Sequence, residues 1–379
     1  MDIKELRNEI DLIDDQMLEL FQKRMETSSA IAAYKRENNL PILNRTRERE
    51  VLAMAEEKLP GMETYANRFM ANLMELSRAY QAHLNEKPTK LIQSIQDSCL
   101  PVEVVFPKGG TVAVSGVEGA YAQEAADRIF PRGNIQFMKN FEAVFEAVTK
   151  GEVDFGVVPV ENSSYGSVKE VYTYLRRYDV SIVRSVKKNI QHELLAKRGT
   201  RISEIKEIYS HEQAIGQCSK FIKSLGEDVV VREVVNTAVA AQMVADSDRT
   251  DVACIASHDA GSLYGLTNLR STIMDSANNY TRFIVIQKDP AIYPGANRIS
   301  MILATEHRPG ALYDILAQLS SNSINLIKLE SSPMVGHDFE FFFYVDMEAN
   351  IYEPGVLETL AYLERTCASF KYLGNYSVI

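Results

Sequence analysis

Residues 4–39 carry one unbroken helical pattern, and it limits the possible folds more than any other feature of the chain. Leu6, Ile10, Ile13, Met17, Leu20, Arg24, Thr27, Ile31 and Tyr34 recur at alternating steps of four and three. They form a heptad-like stripe with no Gly or Pro until Pro41. At 1.5 Å per residue such a helix is about 50 Å long, more than a lone small globule can bury. The pattern therefore predicts lengthwise packing against another helix, most simply its copy in a second chain. Further helices are predicted over residues 46–58, closed by Pro60-Gly61, and over 63–86. The all-helical segment is expected to end at residue 88.

Pro88, Pro101, Pro107 and the Gly109-Gly110 pair mark residues 89–109 as a linker. Beyond it the hydrophobic period changes. Short apolar runs (TVAVSG, IQFMK, DFGVVPV, VSIVRSV, EIYS, DVACIAS, TRFIVIQ) alternate with helical stretches, the signature of an α/β sheet domain over residues 110–288. That length is enough for two lobes with a cleft between them. A second proline-rich linker, 289–297, leads to residues 298–379. There the order β-α-β-β-α-β predicts a ferredoxin-like α+β unit.

With 379 residues, the chain is expected to hold two or three domains. Its formal charge of −10 argues against a nucleic-acid or anionic-membrane partner. Cys99, Cys218, Cys254 and Cys367 lie far apart with no CxxC pair, so neither a disulfide framework nor a zinc site is expected. The N-terminus has no apolar core of a signal peptide, and no 18-residue apolar run occurs, so a cytoplasmic setting without a membrane span is expected.

Within the helical segment, Arg24 sits on the apolar stripe, with Ser28 and Lys35 on nearly the same face. Ser77 and Gln81 are i,i+4 neighbours on the last helix, and NRTRERE supplies Arg47 and Glu48. Buried charges need partners, so the cluster could close on a small anion, or Arg24 and Lys35 could snorkel to the edge. In the α/β segment, polar clusters fall where predicted strands end, which is where open α/β sheets place sites. They are SGVEGAYA, VPVENSSYGSV, YSHEQAIGQC and NNYTRF. No G-x-S-x-G elbow accompanies His211, and the six histidines show no ligand spacing.

Residues 1–88 resemble the all-helical chorismate mutases, through Leu6-Arg7, Ile10-Asp11, Arg24, Lys35, Pro41, Arg47-Glu48, Ser77 and Gln81. That resemblance implies a pericyclic rearrangement of chorismate to prephenate, needing only compaction and charge stabilisation. It implies that Arg24 binds one carboxylate while Arg7 reaches the other from a partner chain. Lys35 and Gln81 would donate to the ether oxygen, and Arg47, Glu48 and Ser77 would position the ring hydroxyl and a carboxylate. Asn44 stands where the family often has an acidic residue.

The motifs GVEGAYAQEAA, GVVPVENSSYGSV, SHEQAIGQC, NTAVAA, YGL and TRF, in that order, resemble prephenate dehydratase. The implied fold is two-lobed and periplasmic-binding-like, and the implied reaction removes water and CO2 from prephenate to give phenylpyruvate. By the same resemblance Thr281 donates to the leaving hydroxyl, and Glu161, Asn162, Ser163, Ser210, Gln217, Thr237 and Phe283 line the cleft. Arg282 would anchor a carboxylate or else brace the loop. The C-terminal segment resembles ACT-type regulatory domains, with Gly310, Ala311 and Leu312 of GALY and Glu330 and Ser331 of ESSP as the effector site. The effector would be phenylalanine, bound at a dimer interface. Tyr313 and Ser332 depart from the usual valine and arginine. No metal or organic cofactor is implied, and the assembly expected is a homodimer or higher homo-oligomer. Two other readings stay open, namely a non-catalytic amino-acid sensor and a helical segment that only dimerises.

Overall fold

The computed structural model describes residues 2–38, 40–41, 44–84, 89–276, 278–333 and 341–379. The chain divides into two compact units, Met1–Gln93 and Ser94–Ile379.

The first unit is helical. Helix α1 spans Ile3–Glu37, α2 Arg45–Lys58 and α3 Glu63–Leu84. Helix α1 opens with Glu5 Oε2 accepting from the Asp2 backbone N–H at 2.9 Å, which satisfies one of the orphan donors of a helix start. It closes where Asn38 Nδ2 donates to Tyr34 O at 2.8 Å. Asn44 is the cap of α2, its Oδ1 accepting from Arg47 N at 3.1 Å. Helix α1 is unevenly covered. Its second half supplies buried Ser28 and Ala32, facing the buried Ala66, Met74, Ser77 and Gln81 of α3. Residues 2–20 are all exposed, among them Leu6, Ile10, Ile13, Met17 and Leu20 of the predicted stripe. The expected end of this segment, residues 85–88, lies outside the described residues.

Helix α4, Lys90–Asp97, lies in the stretch expected to be a linker. Ile92 and Ile95, three apart on one face, are buried and hold it down. The two expected linkers also pair with one another: Leu100 N donates to Ile292 O at 3.0 Å and Ile292 N to Ser98 O at 2.8 Å. The ring of Phe106 meets Tyr293 edge-on at 4.8 Å. Residues 98–106 and 292–293 are therefore part of the second unit's packing.

In that unit the predicted α/β alternation is present. The elements are β1 (Gly109–Ser115), α5 (Tyr121–Ile129), β2 (Arg132–Met138), α6 (Phe141–Lys150), β3 (Phe155–Asn162), β4 (Gly166–Ser167), α7 (Lys169–Arg177) and β5 (Ser181–Asn189). A second lobe follows with β6 (Glu193–Ala196), β7 (Glu207–Ser210), α8 (Glu212–Gln217), α9 (Ser219–Ser224), β8 (Val230–Glu233), α10 (Thr237–Asp246), β9 (Val252–Ala256), α11 (His258–Leu263) and β10 (Thr267–Arg270). The chain then returns as β11 (Tyr280–Gln287), which lies between β5 and β3. Two crossings, after β5 and before β11, therefore join the lobes. The second lobe has its own sheet, ordered β10-β6-β9-β7-β8.

Residues 298–379 form β12 (Arg298–Ala304), α12 (Ala311–Ser321), β13 (Asn325–Pro333), β14 (Phe341–Glu348), α13 (Val356–Thr366) and β15 (Ser369–Val378), the β-α-β-β-α-β order expected. Their antiparallel sheet, β13-β14-β12-β15, joins the first lobe's sheet through a parallel pairing of β15 with β5. Ile302, Tyr344, Leu373 and Tyr376 share one core cluster with Val144, Phe145 and Leu175 of the first lobe. At 25 cal/mol per Å² buried, such shared apolar surface makes the C-terminal piece and the first lobe one packed body. The long exposed β13 edge carries Ile327 and Leu329.

Candidate active sites

In the helical unit, burial of polar groups marks the site. Arg24 is half-buried and donates from Nη1 to Leu73 O at 2.9 Å and to the Ser77 hydroxyl. Burial lowers its pKa, although it remains a cation at neutral pH. Gln81, one turn beyond Ser77, is 6% exposed, and its Oε1 accepts no hydrogen bond among the described residues. Lys35 is half-buried on α1, 11 residues and about 16 Å along the axis from Arg24. Glu48 is held by an ion pair to Arg78, a partner the sequence reading missed. Two expected members lie elsewhere. Arg47 reaches Glu50 at 2.8 Å on the exposed face of α2, because an i,i+3 carboxylate is its nearest partner. Arg7 is exposed on the uncovered half of α1, about 25 Å along the axis from Arg24.

Between the two lobes of the second unit lies a cavity of about 600 Å³. Its walls include Gly116 after β1, Tyr121 at the start of α5, His192 on a lobe crossing, His211 capping α8 and Gln217 at its end, Asn236 and Thr237 at the start of α10, and Asn162, Thr281 and Phe283. Gly119, at φ +84°, turns the chain into α5 where the lobes nearly touch; a Cβ there would stand 3.3 Å from Ala260 Cα.

Thr281 sits where β3 and β11 pair, opposite Asn162. Asn162 Nδ2 donates to Thr281 Oγ1 at 2.9 Å and to Asn279 Oδ1 at 2.9 Å. Asn162 Oδ1 in turn accepts the backbone N–H groups of Ser164 (2.9 Å) and Tyr165 (3.1 Å). Backbone donors cannot exchange roles, so this amide has only one orientation. Thr281 Oγ1 is thereby an acceptor from Asn162, and its own O–H is left to donate into the cleft.

Strand alternation separates the other expected residues. Phe283 shares the cleft face with Thr281, whereas Arg282 and Glu161 point to the opposite face of the sheet. Arg282 is bound by Asp346 at 2.6 Å on β14 and lies 3.4 Å from Glu161. Although burial alone would lower it, the Asp346 carboxylate raises the Arg282 pKa well above its ordinary value. Glu161 also meets Lys328 of β13 at 3.4 Å, and Lys328 meets Glu330 at 3.1 Å. The expectation that Glu161 lines the cleft is therefore corrected, and of the two roles expected for Arg282 its contacts match bracing: both residues tie the first lobe to the C-terminal piece. Ser210 is fully buried and spends its hydroxyl on Ile255 O at 2.6 Å, so it too is structural. Ser163 accepts from Tyr280 N at 2.9 Å and braces the β3–β11 end outside the cavity.

His192 was missed by the sequence reading. It is 4% exposed, and burial pushes its pKa down to about 4. An isolated histidine in IQHELL carries no spacing signal; only its position on the crossing strand reveals it. At the C-terminal piece, Gly310 precedes α12 at φ +83°, with Ala311 and Leu312 opening that helix, while Glu330 and Ser331 lie on β13. Glu330 is engaged by the Ser167 hydroxyl as well as by Lys328. Among the described residues no group of three or more His, Cys, Asp or Glu could hold a metal ion, and no helix is long and apolar enough to cross a membrane.

Fold and sites together define a multidomain protein with a helical unit, a two-lobed α/β unit with a cavity between its lobes, and an α+β piece fused to one lobe. A family model described as chorismate mutase type II matches residues 6–82, and one described as prephenate dehydratase matches residues 112–291. The chain is 31% identical over 379 residues to the bifunctional chorismate mutase/prephenate dehydratase of Pseudomonas aeruginosa, covering 99% of this chain and 97% of that one. It is 37% identical over 280 residues to arogenate dehydratase/prephenate dehydratase 2 of Arabidopsis thaliana, covering 70% and 72% of the two chains. Its fold matches the crystal structure of prephenate dehydratase in complex with L-Phe from Arthrobacter aurescens with TM-score 0.65 at 27% identity, over 70% of this chain and 89% of that one. The chain belongs to the bifunctional chorismate mutase/prephenate dehydratase family.

Proposed function

We propose that residues 1–88 rearrange chorismate to prephenate and that residues 110–288 convert prephenate to phenylpyruvate, with residues 298–379 sensing phenylalanine. The observation that carries the reading is the Asn162–Thr281 contact, which leaves a threonine hydroxyl free to donate into the cavity between the lobes. In the reaction the bond to the departing carboxylate breaks, its electron pair enters the ring, and the ring C–O bond breaks. Aromatisation supplies the driving force, so the protein needs to assist only the leaving hydroxide. A threonine is too weak an acid to give up its proton, so Thr281 contributes a hydrogen bond that strengthens as charge develops. Gln217, Thr237 and Phe283 shape the cavity around the substrate.

In the helical unit Arg24, oriented by Ser77, binds a carboxylate, and Lys35 and Gln81 donate to the breaking ether bond. Glu48, held by Arg78, is left to position the ring hydroxyl. The distance of Arg7 from Arg24 supports its acting from a second chain, with the exposed α1 stripe as the dimer seam. A homodimer or higher homo-oligomer in the cytoplasm follows from this reading. For regulation, support comes from the relative bound to L-Phe and from the position of Gly310, Ala311, Leu312, Glu330 and Ser331.

The test is turnover of prephenate by the full chain and by Thr281→Val. The reading requires phenylpyruvate from the first and a loss of 100-fold or more in the second; equal turnover by both removes Thr281 from the mechanism.

A further inference from the structure

A line of hydrogen bonds continues from Thr281 past the substrate cavity and across to the other lobe. Asn279 Oδ1 accepts from Asn162 Nδ2, so its own Nδ2 faces away and donates to Gln217 Oε1 at 2.9 Å. His192 Nε2 lies 2.9 Å from that same oxygen. Gln217 Oε1 can only accept, so His192 Nε2 must carry a proton. On the far side of the ring, Nδ1 lies 3.0 Å from the Tyr121 oxygen, whose own O–H donates to Gln191 O at 2.5 Å. The Tyr121 ring meets the imidazole edge-on at 5.6 Å. Every amide in the line thus has one orientation, fixed from the Ser164 and Tyr165 backbone N–H groups, and a His192 Nε2–H is the donor that matches it at the other end.

We propose that His192 is a positioning residue for the dehydratase reaction: its Nε2–H fixes the Gln217 and Asn279 amides, and through Asn162 it keeps the Thr281 hydroxyl free to donate to the leaving oxygen. The proposal rests on the functional reading above and deepens it. Its physical basis is the direction of donation. Without a donor at His192, nothing on that side distinguishes the oxygen of Gln217 from its nitrogen. A reversed Gln217 turns an N–H toward the Asn279 N–H. A reversed Asn279 then sets its N–H against that of Asn162, and the contact holding Thr281 loosens. The line also spans both lobes, with Asn162 and Thr281 on β3 and β11, Gln217 on α8 and His192 on the crossing between β5 and β6. The posing of Thr281 is therefore coupled to the arrangement of the lobes. Misplacing a reacting group by about 1 Å costs on the order of 100-fold in rate.

The experiment measures prephenate turnover by the full chain, by Thr281→Val, by His192→Leu and by His192→Gln, with thermal unfolding of each. His192→Leu should lower kcat roughly 10- to 100-fold with KM within about 3-fold. His192→Gln, whose side-chain amide can present an N–H in the same place, should recover most of that loss. Folded His192→Leu with wild-type kcat, or folded His192→Gln as impaired as His192→Leu, would overturn the proposal while a strong Thr281→Val defect left the functional reading standing. A wild-type chain inert toward prephenate would overturn both. Should His192→Leu fail to fold, nitrogen-15 NMR of the wild-type histidines decides the matter. The Nε2–H tautomer is required at His192, and the Nδ1–H tautomer contradicts the proposal.

Discussion

Thr281 and Arg282 are neighbours in sequence and on opposite faces of one strand, and their chemistry divides accordingly. The hydroxyl faces the cavity, with Asn162 donating to it; the guanidinium is bound to Asp346. Replacing Asn162 by Asp keeps the shape but supplies no N–H, so Thr281 must donate to the new carboxylate instead of to substrate. Asn162→Asp should lower kcat for prephenate at least about 10-fold while chorismate turnover is unchanged; an unaltered kcat in a steady-state assay would refute the assigned direction of donation. His192 adds a pH effect. Its folded pKa of about 4 lies below its ordinary 6.5, so the unfolded chain binds more protons between those values. Stability from this group is full above pH 6.5 and is lost as pH falls through the window, by about 3 kcal/mol at most. Denaturant unfolding at pH 7 and pH 5 should show the decline, and His192→Gln should reduce it. Thr281 was legible because it sits in a motif, and the period of two already separates Arg282 from it. His192 was not legible, since its partners come from segments 25 and 71 positions away.

Helix α1 was readable to within two residues at each end because nothing in its sequence interrupts the pattern. The packing of α1 was only half readable. Its second half lies on α3, while Leu6, Ile10, Ile13 and Met17 remain exposed in a single chain. If a second chain covers them and brings Arg7 to the site, Ile10→Asp with Ile13→Asp should weaken self-association in sedimentation and lower chorismate turnover 10-fold or more. Full mutase activity in a variant with weakened association would show that each chain's site is self-sufficient. Residues 89–109 were misread for a physical reason. Pro101, Pro107 and Gly109 punctuate the stretch, yet Ile92 and Ile95 bury one face of a short helix, and the backbone at residues 98–100 pairs with Ile292, nearly 200 positions on. Pairing at that separation leaves no local trace.

In the second unit as a whole, the C-terminal piece shares both a sheet and a core with the first lobe. Asp346 and Lys328 come from β14 and β13, and they grip Arg282 and Glu161, the immediate neighbours of Thr281 and Asn162. If an effector binds near Glu330, as proposed, a shift of β13 has a short route to the cleft. Asp346→Leu leaves the buried Arg282 with only the more distant Glu161, at 3.4 Å, as counter-ion and should cost up to about 3–5 kcal/mol. Arg282→Met combined with Asp346→Leu should recover most of that stability yet lose the response to phenylalanine; undiminished inhibition in the double variant would place the coupling elsewhere. The central claim is that one chain carries two successive reactions at two separate sites. It is tested most directly by feeding chorismate to Gln81→Leu and to Thr281→Val, each alone and then mixed, and following phenylpyruvate. The account predicts almost none from either variant alone, prephenate accumulating with Thr281→Val, and phenylpyruvate restored in the mixture; wild-type phenylpyruvate production by either variant alone would contradict it.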